Sequence, residues 1–205
     1  MSIALRRGGR RRSARNWPTD RRILLHVGCG PPEPGLVPER FCGPEWHEVR
    51  LDIDPGVQPD IVANITDMSA VDAMSVDAIW SSHNVEHVFA HEVPIVFGEF
   101  FRVLRPSGIA MLEVPDLQAA ARLIAEGKLD EPWYRSASGV IAPIDMVYGF
   151  GAAIANGQHY MAHRTGFTRR TLERRLRAVG FTDVEVTPRE GIALSATARR
   201  PAAKR

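Results

Sequence analysis

Gly28-Cys29-Gly30 and, 22 residues beyond Gly30, Asp52 are the first residues of this 205-residue chain whose types and spacing could do chemistry. A glycine pair after an apolar run lets the backbone approach a ligand closely, and an acid about 20 residues further on is placed to accept hydrogen bonds from ribose hydroxyls. A dinucleotide fingerprint needs a third Gly or Ala at position 33. Here Glu33 adds negative charge, and Pro31, Pro32 and Pro34 remove backbone donors, so a phosphate would be both repelled and under-bonded. The ligand is therefore expected to be nucleoside-like without phosphates. Asp54 competes with Asp52 for the ribose; one would bind sugar while the other caps the turn. Further on, Asp67-Met68 offers an acceptor for an exocyclic amine and an apolar side chain for a purine face.

His83, Glu86 and His87 spell H-x-x-E-H, the pattern of zinc hydrolases in which two histidines one helical turn apart hold the ion and a glutamate activates water. The motif begins at the end of an apolar run, and His91 merely continues the same stripe. Three ligands along one helix face cannot close around one ion, so no metal ligand is assigned. His159 and His163 form a second i, i+4 pair, also without a metal assignment.

The positioning elements are legible as apolar runs ended by turn residues. Ile23–Val27, His47–Leu51, Asp60–Ala63, Val76–Trp80 and Ile109–Val114 read as five buried parallel strands. Val93, Val96, Phe97, Phe100, Phe101 and Leu104 recur at steps of three and four, which predicts a helix packed on a sheet. Thr168 is placed to cap a second helix through Leu172, Leu176 and Val179, closed by Gly180. Val184–Thr187 and Ile192–Thr197 follow as an antiparallel hairpin. The result is an α/β sandwich whose mostly parallel sheet carries an antiparallel edge, with ligands expected at the carboxyl ends of its strands.

Residues 128–163 break this alternation and hold Trp133, Tyr134, Tyr148, Phe150 and Tyr160. They read as an insertion covering the site, with Trp133, Tyr134 and Tyr148 as its substrate contacts. Composition fits one soluble domain, 21–198, between basic tails at 1–20 and 199–205 that are expected to be disordered. Residues 1–22 hold eight arginines against one acid and 199–205 hold four basic residues, so at a net charge of +2 the body between them is acidic. A polyanion or nucleic-acid contact through the N-terminal arginines is not favoured, because they lack interleaved aromatics and the body would repel phosphates. Two cysteines make no disulfide framework, and no apolar run reaches the length of a membrane span, so the cytoplasm is the expected location.

LLHVGCG (Leu24–Gly30), VRLDID (Val49–Asp54), NITDMS (Asn64–Ser69), AIWSSHNVEHV (Ala78–Val88) and FFRVLRPSGIAMLEVPDL (Phe100–Leu117) resemble, in order, the motifs of class I S-adenosylmethionine-dependent methyltransferases. The similarity is to the small bacterial type with a "leucine-glutamate-histidine" signature. It implies a Rossmann-like, doubly wound, seven-stranded sheet and S-adenosyl-L-methionine as cofactor. It also implies a binding set of His26, Gly28, Cys29, Gly30, Asp52, Ile53, Asp67, Met68, Ser82 and His83. Gly28 and Gly30 would pass under the methionine part, Asp52 would hold the ribose, Asp67 and Met68 the adenine, and Ser82 and His83 would border the sulfonium. His26 stands where the family has an acid, and Val85 and Ser107 also depart from its pattern. The implied reaction is direct displacement of the methyl group by an acceptor nucleophile, with His83, His87, His159 and His163 as the acid–base candidates. The competing readings are a catalytically inactive cofactor-binding regulatory module and the zinc hydrolase.

Overall fold

A computed structural model of the chain describes residues 17–136, 139–190 and 192–203. The N-terminal arginine run up to Arg15 and the last two residues, parts of the expected basic tails, lie outside the described residues.

Seven strands form one sheet: β1 (Arg22–Val27), β2 (Trp46–Asp52), β3 (Ile61–Val62), β4 (Val76–Ser82), β5 (Leu104–Pro115), β8 (Thr182–Arg189) and β9 (Ala193–Arg199). Their order is β3-β2-β1-β4-β5-β9-β8. The first five are parallel, while β9 runs antiparallel to both β5 and β8. The connections diverge between β1 and β4, which places a crevice at the carboxyl ends of those two strands. This is the expected α/β architecture.

One sheet face is covered by helices α1 (Val93–Val103) and α5 (Arg169–Val179). Val93, Val96, Phe97, Phe100 and Val103 of α1 and Leu172 and Leu176 of α5 are buried against Ile23, Leu25, Val27, Ile79 and Leu112. Thr168 Oγ1 accepts from the Thr171 N–H, Thr171 Oγ1 accepts from the Thr168 N–H, and Gly180 ends α5 at φ +114°. Both helix ends thus follow the local sequence.

The opposite face is lined differently. The 31–45 connection has no α-helix, only a 3₁₀ turn at Glu39–Phe41, because its prolines withhold the backbone donors a helix needs. It lays Phe41 and Val37 over Leu24, Ala78 and Trp80, and Trp80 Nε1–H donates to Leu36 O at 2.7 Å.

Residues next to both expected tails pack on the body. Trp17 packs on the main core, so the folded part begins before residue 21. At the other end β9 runs to Arg199, and the Arg200 guanidinium donates to the carbonyls of Phe101, Arg102 and Leu104 while stacking on the Phe101 ring. A cation here satisfies the orphan carbonyls at the C-terminus of α1.

Between β5 and α5 lie α2 (Leu117–Ala125), a hairpin of β6 (Tyr134–Ser136) and β7 (Gly139–Ile141), α3 (Pro143–Tyr148) and α4 (Gly151–Ala155). This segment has its own small core of Ala120, Ile141 and Met146, packed by Trp133, Tyr134 and Phe150. No helix among the described residues is long and apolar enough to cross a membrane.

Candidate active site

The apolar strand β1 stops at Gly28, where the chain turns at φ +68°, and turns again at Gly30, φ +59°. A Cβ on Gly28 would lie 2.4 Å from Asn84 Cγ, so only glycine fits between the ends of β1 and β4. Gly30 has open space above it. Its N–H donates to Asp52 Oδ2 at 2.9 Å, and Asp52 Oδ1 accepts from the Asp54 N–H at 2.9 Å. Asp52 therefore lies at the end of β2 directly beside the glycine turn. Asp54 is the capping acid: Oδ1 accepts from the Gly56 N–H at 2.7 Å, and Oδ2 accepts from Tyr160 Oη–H at 3.2 Å. Ile53 is exposed between the two acids.

Arg50, unremarked in the sequence, donates to Gly30 O, Val57 O and Gln58 O and so ties the glycine turn to the loop after β2. His26 is buried, with Nδ1–H donating to Glu48 Oε1 at 2.7 Å. That hydrogen bond holds the Glu48 carboxyl below the usual range against the opposing effect of burial. The pair borders a cleft of about 120 Å³ with Cys29, Pro31, Glu33 and Arg50. A carboxylate is thus present beside position 26, supplied by the neighbouring strand. The alternation of HEVRL, which puts Glu48 and Arg50 on one face, is the signal that could have found both. Cys29 is buried, and desolvation pushes its thiol up to about 11.

Asp67 and Met68, the residues expected at the adenine, lie in different surroundings. Met68 is fully buried in the main core, its N–H donates to Glu99 Oε2 and its carbonyl accepts from Arg102. Asp67 sits on the exposed loop after β3, accepts from the Ser69 N–H, and lines an open groove beside α1 with Ile95, Gly98, Glu99 and Arg102.

At the end of β4, Ser82 Oγ lies 3.5 Å from Glu113 Oε2, and Glu113 is paired with Arg189. His83 follows in a left-handed conformation, φ +46°, with its side chain half exposed. A 3₁₀ turn, Val85–His87, comes next in place of a helix, so His83 and His87 do not share a helix face. Glu86 is 1% exposed. His87 Nε2 and Nδ1 lie 3.2 and 3.3 Å from the carbonyls of His83 and Ala162, and His163 Nδ1–H donates to Met146 O at 3.0 Å. Through these contacts the two histidines tie the 128–163 segment to the end of β4. His159 is exposed on a 3₁₀ turn. Trp133 and Tyr134, both partly buried, pack against the small core of the insertion, edge to face with each other. Tyr148 is exposed.

Residues 25–112, from β1 into β5, match the sequence model of the family described as "Methyltransferase domain". That match covers 88 of the 205 residues. No curated protein matches the chain in sequence. Among solved structures, the methyltransferase fold here is similar to a possible exported protein from Bordetella parapertussis, with 17% identity over 89% of this chain and a TM-score of 0.58. The chain spans 64% of that protein's length. A SAM-dependent methyltransferase from Methanosarcina mazei matches at 16% identity over 92% of this chain and 97% of its own, TM-score 0.58. The 1,6-didemethyltoxoflavin-N1-methyltransferase of Burkholderia thailandensis, solved with 1,6-didemethyltoxoflavin and S-adenosylhomocysteine, matches at 16% over 88% and 72%, TM-score 0.53. These likenesses, with the sheet order and the antiparallel last pair, are those of the class I methyltransferase fold.

Proposed function

We propose that the chain is an S-adenosylmethionine-dependent methyltransferase, passing a methyl group by direct displacement to an oxygen, nitrogen or carbon nucleophile held beneath residues 128–163. The observation that carries this reading is the contact between the Gly30 N–H and Asp52, which sets a glycine turn beside an acid at the ends of adjacent strands. The residues fit the cofactor at its ribose end: Gly30 has no side chain in the way, and each Asp52 oxygen keeps a lone pair for a sugar hydroxyl. Exposed Ile53 takes over from Met68 as the apolar surface for the base. When bound, the cofactor supplies a methyl group on a cationic sulfur that needs no further activation.

The chain's own residues would align and enclose. Tyr160 holds the insertion against Asp54 and narrows the crevice to water. Ser82 and His83 form the edge nearest the acceptor. Of the four histidines considered for proton transfer, His83 has a half-exposed ring at this edge, which makes it the base where the acceptor needs one. The two thiols are unpaired and Cys42 is exposed, which suits a reducing compartment and the cytoplasm.

Calorimetric titration of the full chain with S-adenosylmethionine and S-adenosylhomocysteine, beside NADH, tests the reading. Micromolar binding of either sulfur nucleoside and none of NADH supports it; no binding by folded protein overturns it. Binding without turnover across an acceptor panel would instead favour the inactive regulatory module.

A further inference from the structure

A buried carboxylate lies beside the proposed cofactor edge, on the turn after β4. Glu86 is 1% exposed, and neither of its carboxylate oxygens closes a hydrogen bond; His83 Nδ1 stands 3.5 Å and His163 Nε2 4.0 Å from Oε1. A buried carboxylate that closes no hydrogen bond is a group that a bound cation would satisfy.

The surrounding histidines are arranged as ligands rather than donors. His163 spends its Nδ1–H on Met146 O, which fixes the tautomer and turns the Nε2 lone pair toward Glu86 Oε1, 4.0 Å away. Two lone-pair groups thus face one another across a shared space. The Nδ1 bond to a carbonyl is also the outer-shell contact that orients metal-bound histidines. His87 has a backbone carbonyl near each ring nitrogen. Because a neutral imidazole can donate to only one of them, the other nitrogen carries a lone pair against an oxygen, a mismatch that ends when it turns to an ion. His83 Nδ1, at 3.5 Å from Glu86 Oε1, stands at the rim and closes no hydrogen bond.

We infer that Glu86, His87 and His163 form a binding site for a divalent transition-metal ion, zinc being the chemistry that suits two imidazoles and one carboxylate. Their ligand atoms all lie within 4.8 Å of one another. Tetrahedral zinc with bonds of about 2.0–2.1 Å needs edges of about 3.3 Å, a closure of up to about 1.5 Å by side-chain rotation. The sequence argument against a metal rested on ligands strung along one helix face. Here the third ligand comes from the far end of the insertion instead.

The ion would be structural. Glu86 and His87 belong to the turn after β4, and His163 belongs to the 128–163 segment, whose following residues already donate from Arg164 N–H and Thr165 N–H to Glu86 O. The ion pins the cover to the sheet. The site is independent of the cofactor assignment, so either can fail without the other.

Metal-stripped full-length protein titrated with Co²⁺, followed by its visible ligand-field absorption, and then displaced by Zn²⁺ tests the site. The expected result is one tightly bound equivalent and a thermal midpoint raised by Zn²⁺. Affinity should fall at least about a hundredfold in Glu86→Gln and in His163→Gln, and remain unchanged in His91→Gln and His159→Gln. Absence of binding to folded wild-type protein at millimolar metal overturns the proposal without any variant. So does undiminished binding in whichever of the two ligand variants folds.

Discussion

Tyr160 Oη donates to Asp54 Oδ2 at 3.2 Å, and this bond joins the insertion to the end of the strand that carries Asp52. The cover is therefore latched at two places: on β2 through Tyr160, and on β4 through the backbone of Glu86. Tyr160→Phe removes the first latch only. We expect about a two- to tenfold loss of cofactor affinity by calorimetry, corresponding to one hydrogen bond of about 0.5–1.5 kcal/mol. The thermal midpoint should barely move, because the ring is exposed. A fall of many degrees would mean that the cover is part of the folding core.

Asp52→Ala removes the acceptor for both the Gly30 and Asp54 N–H groups. S-adenosylhomocysteine binding should weaken about ten- to a hundredfold, or about 1.5–3 kcal/mol. Asp52→Asn should retain more stability than Asp52→Ala but not the affinity for a vicinal diol. Unchanged affinity in either variant would remove Asp52 from the ribose site.

Glu99 accepts from Arg102 at two oxygens and from the Met68 N–H, fastening the loop after β3 to α1. Its carboxyl lies below the usual 4.5, chiefly through the Arg102 hydrogen bond. The folded-state value being depressed, its stabilisation is complete above pH 4.5 and is lost as pH falls through the lower folded-state value. Urea midpoints measured down this range should drop less steeply in Glu99→Gln than in the parent chain. Parallel curves would show that Glu99 carries no linkage.

Cys29 has a thiol pushed to about 11 by burial, whereas Cys42 is exposed. Iodoacetamide at neutral pH should add one group per native chain, located at Cys42 by peptide mass, and two after denaturation. Rapid labelling of Cys29 in native protein would mean that the glycine turn opens far more readily than its hydrogen bonds imply.

Arg200→Ala strips three carbonyls at the end of α1 of their cation and exposes the Phe101 face. The cost should be about 1–2 kcal/mol in chemical unfolding, a few degrees of thermal midpoint. A neutral result would return residue 200 to the tail.

The sheet and the α1 and α5 helices were legible because local signals and tertiary demand agree there: apolar runs on β1 and β4, steps of three and four in α1, Thr168 and Gly180 at the ends of α5. The glycine turn and the two acids after β2 were legible as positions. Partnerships across the fold were not. Met68 follows an acid at a strand end, and nothing local says that its side chain turns into the core while Glu99, 31 residues away, takes its N–H. Trp133 and Tyr134 lie in an irregular segment and were read as ligand contacts, yet that segment builds a core of its own. Arg200 follows the last strand and belongs to a helix end 96 to 99 residues earlier.

The proline-bearing connection after β1 has an electrical consequence. A helix beginning there would aim the positive end of its dipole at the glycine turn; the 3₁₀ turn at Glu39–Phe41 begins nine residues past Gly30 and supplies no such field. What surrounds the turn instead is Glu33, Glu48, Asp52 and Asp54, with Arg50 already committed to three backbone carbonyls. The mouth of the crevice is therefore a region of negative potential, one that selects by sign before any contact forms: it draws in a sulfonium and turns away a pyrophosphate.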